Sequence, residues 1–185
     1  MFDGIIDPTV GPDSGPDRSP AVLAPRPDRL DGLALGLLAN TKRNAEDLLD
    51  ALASHLEQEY SVKLVLARKK MSITDPVPQD ILAELSAACD IVVTGVGDCG
   101  SCSASAVADG LLLEQAGVPA AVVCSEAFQV SADAMADLQG APGYRYVTTA
   151  HPVASLDPAG VRARAATLVS PVVALLTDPV LAERS

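Results

Sequence analysis

Tryptophan is absent from the chain, and aromatic residues together supply only 3% of it. Its core must therefore be filled by Ala, Val, Leu and Ile. Positive charge is also scarce: 13 Lys and Arg stand against 24 Asp and Glu, a net charge of -11. Nucleic-acid binding needs a basic face, so no nucleic-acid partner is expected, and the acidity itself serves solubility. No apolar run reaches the ~20 residues of a membrane span, so no membrane association is expected. The start of the chain lacks the basic-then-apolar order of a secretory leader. A cytoplasmic location is the resulting expectation. There are two histidines and four cysteines, with one C-x-x-C pair among them. That inventory does not fill a four-ligand zinc site, and neither a metal nor another cofactor is expected. In a cytoplasmic chain the cysteines are expected as thiols, and a close pair as catalytic or metal-binding.

What is present fits one domain: 185 residues, 49% of them hydrophobic. Residues 1–30 hold six of the 14 prolines, a composition that cannot sustain a helix or a central strand. They are expected to form an extended or disordered arm, free or lying across the domain or a neighbouring subunit. Residues 31–185 are expected to form an α/β catalytic domain. There, short apolar runs at Leu33–Ala39, Val62–Ala67, Ile91–Val96, Ala120–Cys124 and Tyr144–Thr149 read as buried strands. Between and after them the spacing predicts helices. The first carries Leu48, Leu49, Leu52 and Leu56 on one face. The second opens at Pro78 with Ile81, Leu82 and Leu85 inward. Three more span Ala104–Ala116, Ser131–Leu138 and Val161–Leu176, the last with a kink expected at Pro171. Strands alternating with helices imply right-handed crossovers and a doubly wound, mostly parallel sheet of about five strands, a flavodoxin-like or Rossmann-like three-layer sandwich. Sites in such folds lie outside the carboxyl ends of the strands. That rule gathers Asn40, Lys42, Asp98, Cys99, Ser125, Glu126 and His151 onto one edge.

The chemistry concentrates in Thr94-Gly95-Val96-Gly97-Asp98-Cys99-Gly100-Ser101-Cys102-Ser103. A thiolate is the nucleophilic form of cysteine, and a helix N-terminus stabilises it. Cys99 is expected there, with Gly100 allowing close approach of backbone to a ligand, and Ser101 and Ser103 capping the helix or donating to an anion. Cys102, one turn on, is within reach of a resolving disulfide. Asp98 works the other way, since a neighbouring negative charge raises a thiol pKa. Other readings of the same residues are half of a zinc site, a dinucleotide fingerprint formed by Gly95, Gly97 and Gly100, and a tight turn lined by inert cysteines.

Asp98-Cys99-Gly100-Ser101-Cys102 resembles the U-G-S-C motif of the UGSC family. The resemblance extends through Asn40-x-Lys42-x-Asn44, the approach from Cys89-Asp90 to Gly95, Asp109-Gly110, Glu114, Gly117-Val118-Pro119, Phe128 and His151-Pro152. It covers most of residues 31–177 in order. The first motif position is selenocysteine in some members and cysteine in others, which implies that the atom carried here by Cys99 does chemistry. The segment Ala104–Ala108 departs from the more polar or aromatic stretch expected in relatives.

His151, ahead of Pro152, is placed to exchange a proton with Cys99 or with product, or to serve as a hydrogen-bonded structural residue. Asn40 and Asn44 suit caps of the first helix or, with Lys42, substrate binding. His55 reads as solvated, and Cys89 and Cys124 as buried and inert. The leading functional expectation is an enzyme in which Cys99 attacks an electrophilic small molecule and Cys102 resolves the adduct by thiol redox. The alternatives are a redox-neutral, cofactor-free isomerase or lyase using Cys99 alone, and a noncatalytic anion- or nucleotide-binding subunit. Lys42, Arg43, Arg68, Lys69 and Lys70 are expected to rim the site, so the substrate is expected to be an anionic small molecule or carrier-bound group. A homo- or hetero-oligomer is compatible with the sequence.

Overall fold

The computed structural model describes residues 21–178. Expectations for residues 1–20 fall outside that range. Five strands, β1 (Ala34–Ala39), β2 (Lys63–Lys69), β3 (Ile91–Gly97), β4 (Ala120–Ser125) and β5 (Val147–Thr149), form one sheet in the order β2-β1-β3-β4-β5. All four pairings are parallel. The helices are α1 (Ala45–Tyr60), α2 (Gln79–Ala88), α3 (Gly100–Gln115), α4 (Gln129–Leu138) and α5 (Pro158–Thr177). A single 3-10 turn, Glu126–Phe128, leads from β4 into α4.

Period-two alternation along the central strands divides the core into two layers. Leu35, Leu37, Ile91, Val93, Ala121 and Val123 face α1 and α5. On the opposite face Leu38, Val92 and Ala120 meet α2, and Val122 and Cys124 meet α3 and α4. β3 is buried along its whole length, whereas β2 is an exposed edge that begins and ends in lysine, a charge pattern that discourages pairing with other chains.

Several boundaries differ from the sequence expectation, each for a local reason. α3 starts at Gly100 rather than Ala104 because a cysteine supplies its cap: the Cys99 sulfur accepts the Cys102 N–H at 3.3 Å. α5 starts at Pro158, capped by Asp157, which accepts the Gly160 N–H at 2.7 Å, and it continues through Pro171. By length and composition α5 is apolar enough to cross a membrane; here its Val161, Ala165, Leu168, Val172 and Leu176 join the core with α1. β5 is three residues long. Tyr144, expected within it, is instead buried beside Gly110, where a Cβ would lie 2.2 Å from Val122. The absent side chain lets α3 approach the sheet closely. Small residues elsewhere in α3 serve the same end, since the helix is buried on nearly every side.

Residues 21–30 of the expected arm run without helix or strand and are bound to the domain. Ala24 and Leu30 are each 2% exposed. Arg26 forms a two-pronged ion pair with Glu114, both bonds 2.7 Å long, and Glu114 also accepts the Ala24 N–H.

Candidate active site

In a sheet ordered β2-β1-β3-β4-β5, the direction in which strands are added reverses between β1 and β3, and the region outside their carboxyl ends is the expected ligand position. Asn40 stands at the end of β1, with Asp98 and Cys99 following β3. The buried Asn40 side chain bridges the two, donating to the Val96 carbonyl at 3.0 Å and accepting the Lys42 N–H at 3.0 Å. It does not cap α1. Asn44 occupies the N-cap position of α1 with φ of 65°, but makes no capping bond. Its amide donates to the Val153 and Leu156 carbonyls instead. Asn40 therefore ties the loop after β1 to β3, and Asn44 ties the start of α1 to the segment between β5 and α5.

Cys99 and Cys102 are joined as a disulfide with a Cα–Cα distance of 5.1 Å. This corrects the expectation of four thiols. A three-residue separation across the first helical turn brings both sulfurs to one side. The remaining thiols, Cys89 and Cys124, are free and buried. Burial pushes the Cys89 thiol up to about 11, with Asp90 adding to the shift. It pushes the Cys124 thiol up to about 12. The bonded pair is asymmetric: Cys102 is fully buried and Cys99 is half-buried.

Ser101 is exposed, its hydroxyl 3.7 Å from the Cys99 sulfur. Ser103 is fully buried. Together with Cys124 it occupies the space a Cβ on Gly97 would need, so it cannot donate to a ligand at the helix end as the sequence suggested. Gly100 is half-buried at the first position of α3.

Asp98 is the hub of the site. Its carboxylate, 1% exposed, accepts the Ser125 hydroxyl, the Val153 N–H at 3.0 Å, the Ala154 N–H at 2.9 Å and a bond from His151 Nδ1 at 2.9 Å. Burial alone would raise its pKa, but these bonds together hold the group below the usual carboxylate value. The side chain faces the loop after β5, so its first effect is to anchor His151. The imidazole is 38% exposed and meets the Phe128 ring edge-on at 5.2 Å. In the sequence Asp98 reads as a perturber of the neighbouring thiol, and Ser125 only as a residue on the same sheet edge. The sequence signals for them are their positions at strand ends and, for Asp98, its place directly before the Cys-Gly-Ser-Cys segment.

A model of the UGSC family matches residues 4–178. The chain belongs to the UGSC family. Among curated proteins, none matches it. The Cys-Gly-Ser-Cys segment of this UGSC member thus supplies the N-cap and first turn of α3, two residues after the end of β3.

The expected basic rim is smaller than the sequence implied. Arg68 pairs with Glu84 at 2.6 Å, and Lys69 pairs with Glu46. Lys70, 1% exposed, points inward to Asp109 at 2.6 Å and to the Ser105 hydroxyl at 2.8 Å. A buried ammonium needs such partners, and one carboxylate, one hydroxyl and the Asp75 carbonyl supply them. Lys42 and Arg43 carry no ion pair among the described residues. His55 is half-buried, 3.4 Å from Glu59 one turn along α1.

Proposed function

We propose that this protein is a thiol oxidoreductase in which Cys99 attacks an electrophilic small molecule and Cys102 resolves the adduct. The observation that carries the reading is the asymmetry of the pair. One sulfur is accessible at a helix N-terminus, where a thiolate is stabilised, and the other is shielded directly beneath it. In the cycle the Cys99 thiolate attacks a sulfur of a substrate disulfide, forms a mixed disulfide and expels the first substrate thiolate. The Cys102 thiolate then attacks Cys99, forms the Cys99–Cys102 bond and expels the second. Two electrons pass from protein to substrate, and a small dithiol returns them by the reverse exchanges. Thiol buffers of the cytoplasm suit that return step. The selenocysteine found at this position in resembling chains is consistent with a sulfur that reacts.

Lys42 and Arg43 support an anionic substrate, whether a free acid or a carrier-bound phosphate. Replacing Lys42 is expected to raise KM for an anionic substrate and leave KM for its neutral ester unchanged, with added salt narrowing the gap.

The central test uses reduced protein and 2-hydroxyethyl disulfide. Wild type is expected to yield free thiol and the intramolecular disulfide. Cys102→Ser is expected to accumulate a mixed adduct on Cys99, visible as a mass increase, and Cys99→Ser to do neither. Wild-type turnover by Cys99→Ser would refute the proposal. Thiol release by Cys102→Ser as complete as wild type, with no adduct on Cys99, would refute the resolving role of Cys102.

A further inference from the structure

We infer that Asp98 is a positioning residue that fixes His151 with its proton on Nδ1, leaving Nε2 as the atom that exchanges protons with the Cys99 sulfur. The first half follows from counting donors. Oδ1 of Asp98 faces the Ser125 hydroxyl, the Val153 N–H and His151 Nδ1; Oδ2 faces the N–H groups of Val153 and Ala154. Two of these partners are backbone amides, which can only donate. A proton on either carboxyl oxygen would oppose a donor already pointing at it. The group is therefore an ionised acceptor, and the ring nitrogen facing it must carry hydrogen. In the neutral imidazole that leaves Nε2 bare.

Three contacts hold the ring in this state. Asp98 grips Nδ1, the Phe128 ring lies across it at an interplanar angle of 81°, and the following Val153 and Ala154 amides are pinned by the same carboxylate. Nε2 has no hydrogen-bond partner among the described residues, and the side chain is 38% exposed. Asp98 and Cys99 are consecutive. One residue therefore orients the base while the next presents the sulfur at the cap of α3. The same division of labour, an acid that orients a histidine without taking its proton, underlies other nucleophile–histidine–carboxylate sites.

The use of Nε2 rests on the thiol reading above; the tautomer does not. When a dithiol reduces the protein, its thiolate attacks Cys99, a new S–S bond forms, and Cys102 leaves as a thiolate. The donor's second thiol closes its own ring and Cys99 leaves. The proton lost by that second thiol is taken by Nε2 and passed to the departing Cys99 sulfur, so the imidazole ends as it began and Asp98 stays ionised.

The test has two readouts. Long-range 1H–15N correlation spectra of labelled wild type, at a pH where histidine is neutral, distinguish the two tautomers; His151→Gln identifies which of the two imidazoles is His151. The expected pattern is Nδ1–H for His151, and an Nε2–H pattern overturns the assignment whether or not any variant folds. Second, reduction of the disulfide by dithiothreitol is followed in wild type, His151→Gln and Asp98→Asn. Both variants are expected to slow it by about 100-fold, the lower end of what a positioned acid–base group contributes. In a folded Asp98→Asn the tautomer is also expected to change. Equal rates in wild type and His151→Gln overturn the role of Nε2. A wild-type disulfide that resists the dithiol overturns the thiol reading and the proton exchange with it, and the spectra then judge Asp98 alone.

Discussion

Arg26 offers a direct measure of how firmly residues 21–30 are bound to the domain. Its guanidinium and the Glu114 carboxylate are 2% and 0% exposed. Replacing Arg26 with alanine removes both charge-assisted bonds and leaves Glu114 buried with the Ala24 and Ala120 N–H groups as its remaining partners. Breaking a buried ion pair costs about 3–5 kcal/mol. Arg26 Nε is already buried without a partner, so the native pair is imperfect and the lower value, about 3 kcal/mol, applies. For a domain of this size each kcal/mol lowers Tm by about 2–4 °C, giving a drop of roughly 6–12 °C. Arg68→Ala is the matched control. Its pair with Glu84 has a similar length, 2.6 Å, but the side chains are 39% and 51% exposed, so the cost is about 0–1 kcal/mol. Thermal melts of the two variants at one salt concentration make the comparison, with urea titrations to check that the m-value is unchanged. Arg26→Ala melting within a degree of Arg68→Ala would refute the claim that burial gives this pair its weight. Deletion of residues 1–30 is expected to cost at least as much as Arg26→Ala, since it also uncovers the contacts of Ala24 and Leu30.

Three further outcomes follow from the site. Asp98 has a folded pKa below its ordinary value of 3.8; its contribution to stability is present above that value and lost as pH falls through the folded one. Acid titration monitored by circular dichroism should therefore show a stability loss below about pH 4 that Asp98→Asn reduces. Gly97→Ala would put a Cβ 2.6 Å from the Cys124 sulfur and 2.7 Å from the Ser103 Cα. It should destabilise by about 1–3 kcal/mol in a urea titration, and Cys124→Ala should not restore the loss, because the Ser103 contact is backbone. After mild reduction at neutral pH, iodoacetamide should label Cys99 first and leave Cys89 and Cys124 unmodified until denaturant is added, since burial has pushed those thiols to about 11 and about 12; peptide mapping reads the order.

The sequence by itself determined the alternation of strands and helices, the parallel sheet and the buried faces of α1 and α2, because burial leaves a periodic trace along the chain: Leu48, Leu49, Leu52 and Leu56 recur on one helical face whatever the helix packs against. It also marked Cys99 and Cys102, whose relation is local and spans one turn. Helix starts were less legible. The cap of α3 is a cysteine sulfur, and no capping preference announces it. Relations between distant charges were not legible at all. Lys70 looks like its neighbours Arg68 and Lys69 in the sequence, yet tertiary structure turns it inward to Asp109. Arg26 lay in a segment read as an arm until Glu114, 88 residues away, met it. Asp98 seemed an electrostatic nuisance to Cys99, and only the parallel crossovers that set β3, β4 and β5 side by side bring Ser125, His151, Val153 and Ala154 to its carboxylate. Periodicity reports which residues are buried; which buried charges and donors meet is decided by chain topology, and that leaves no mark on the spacing of residues.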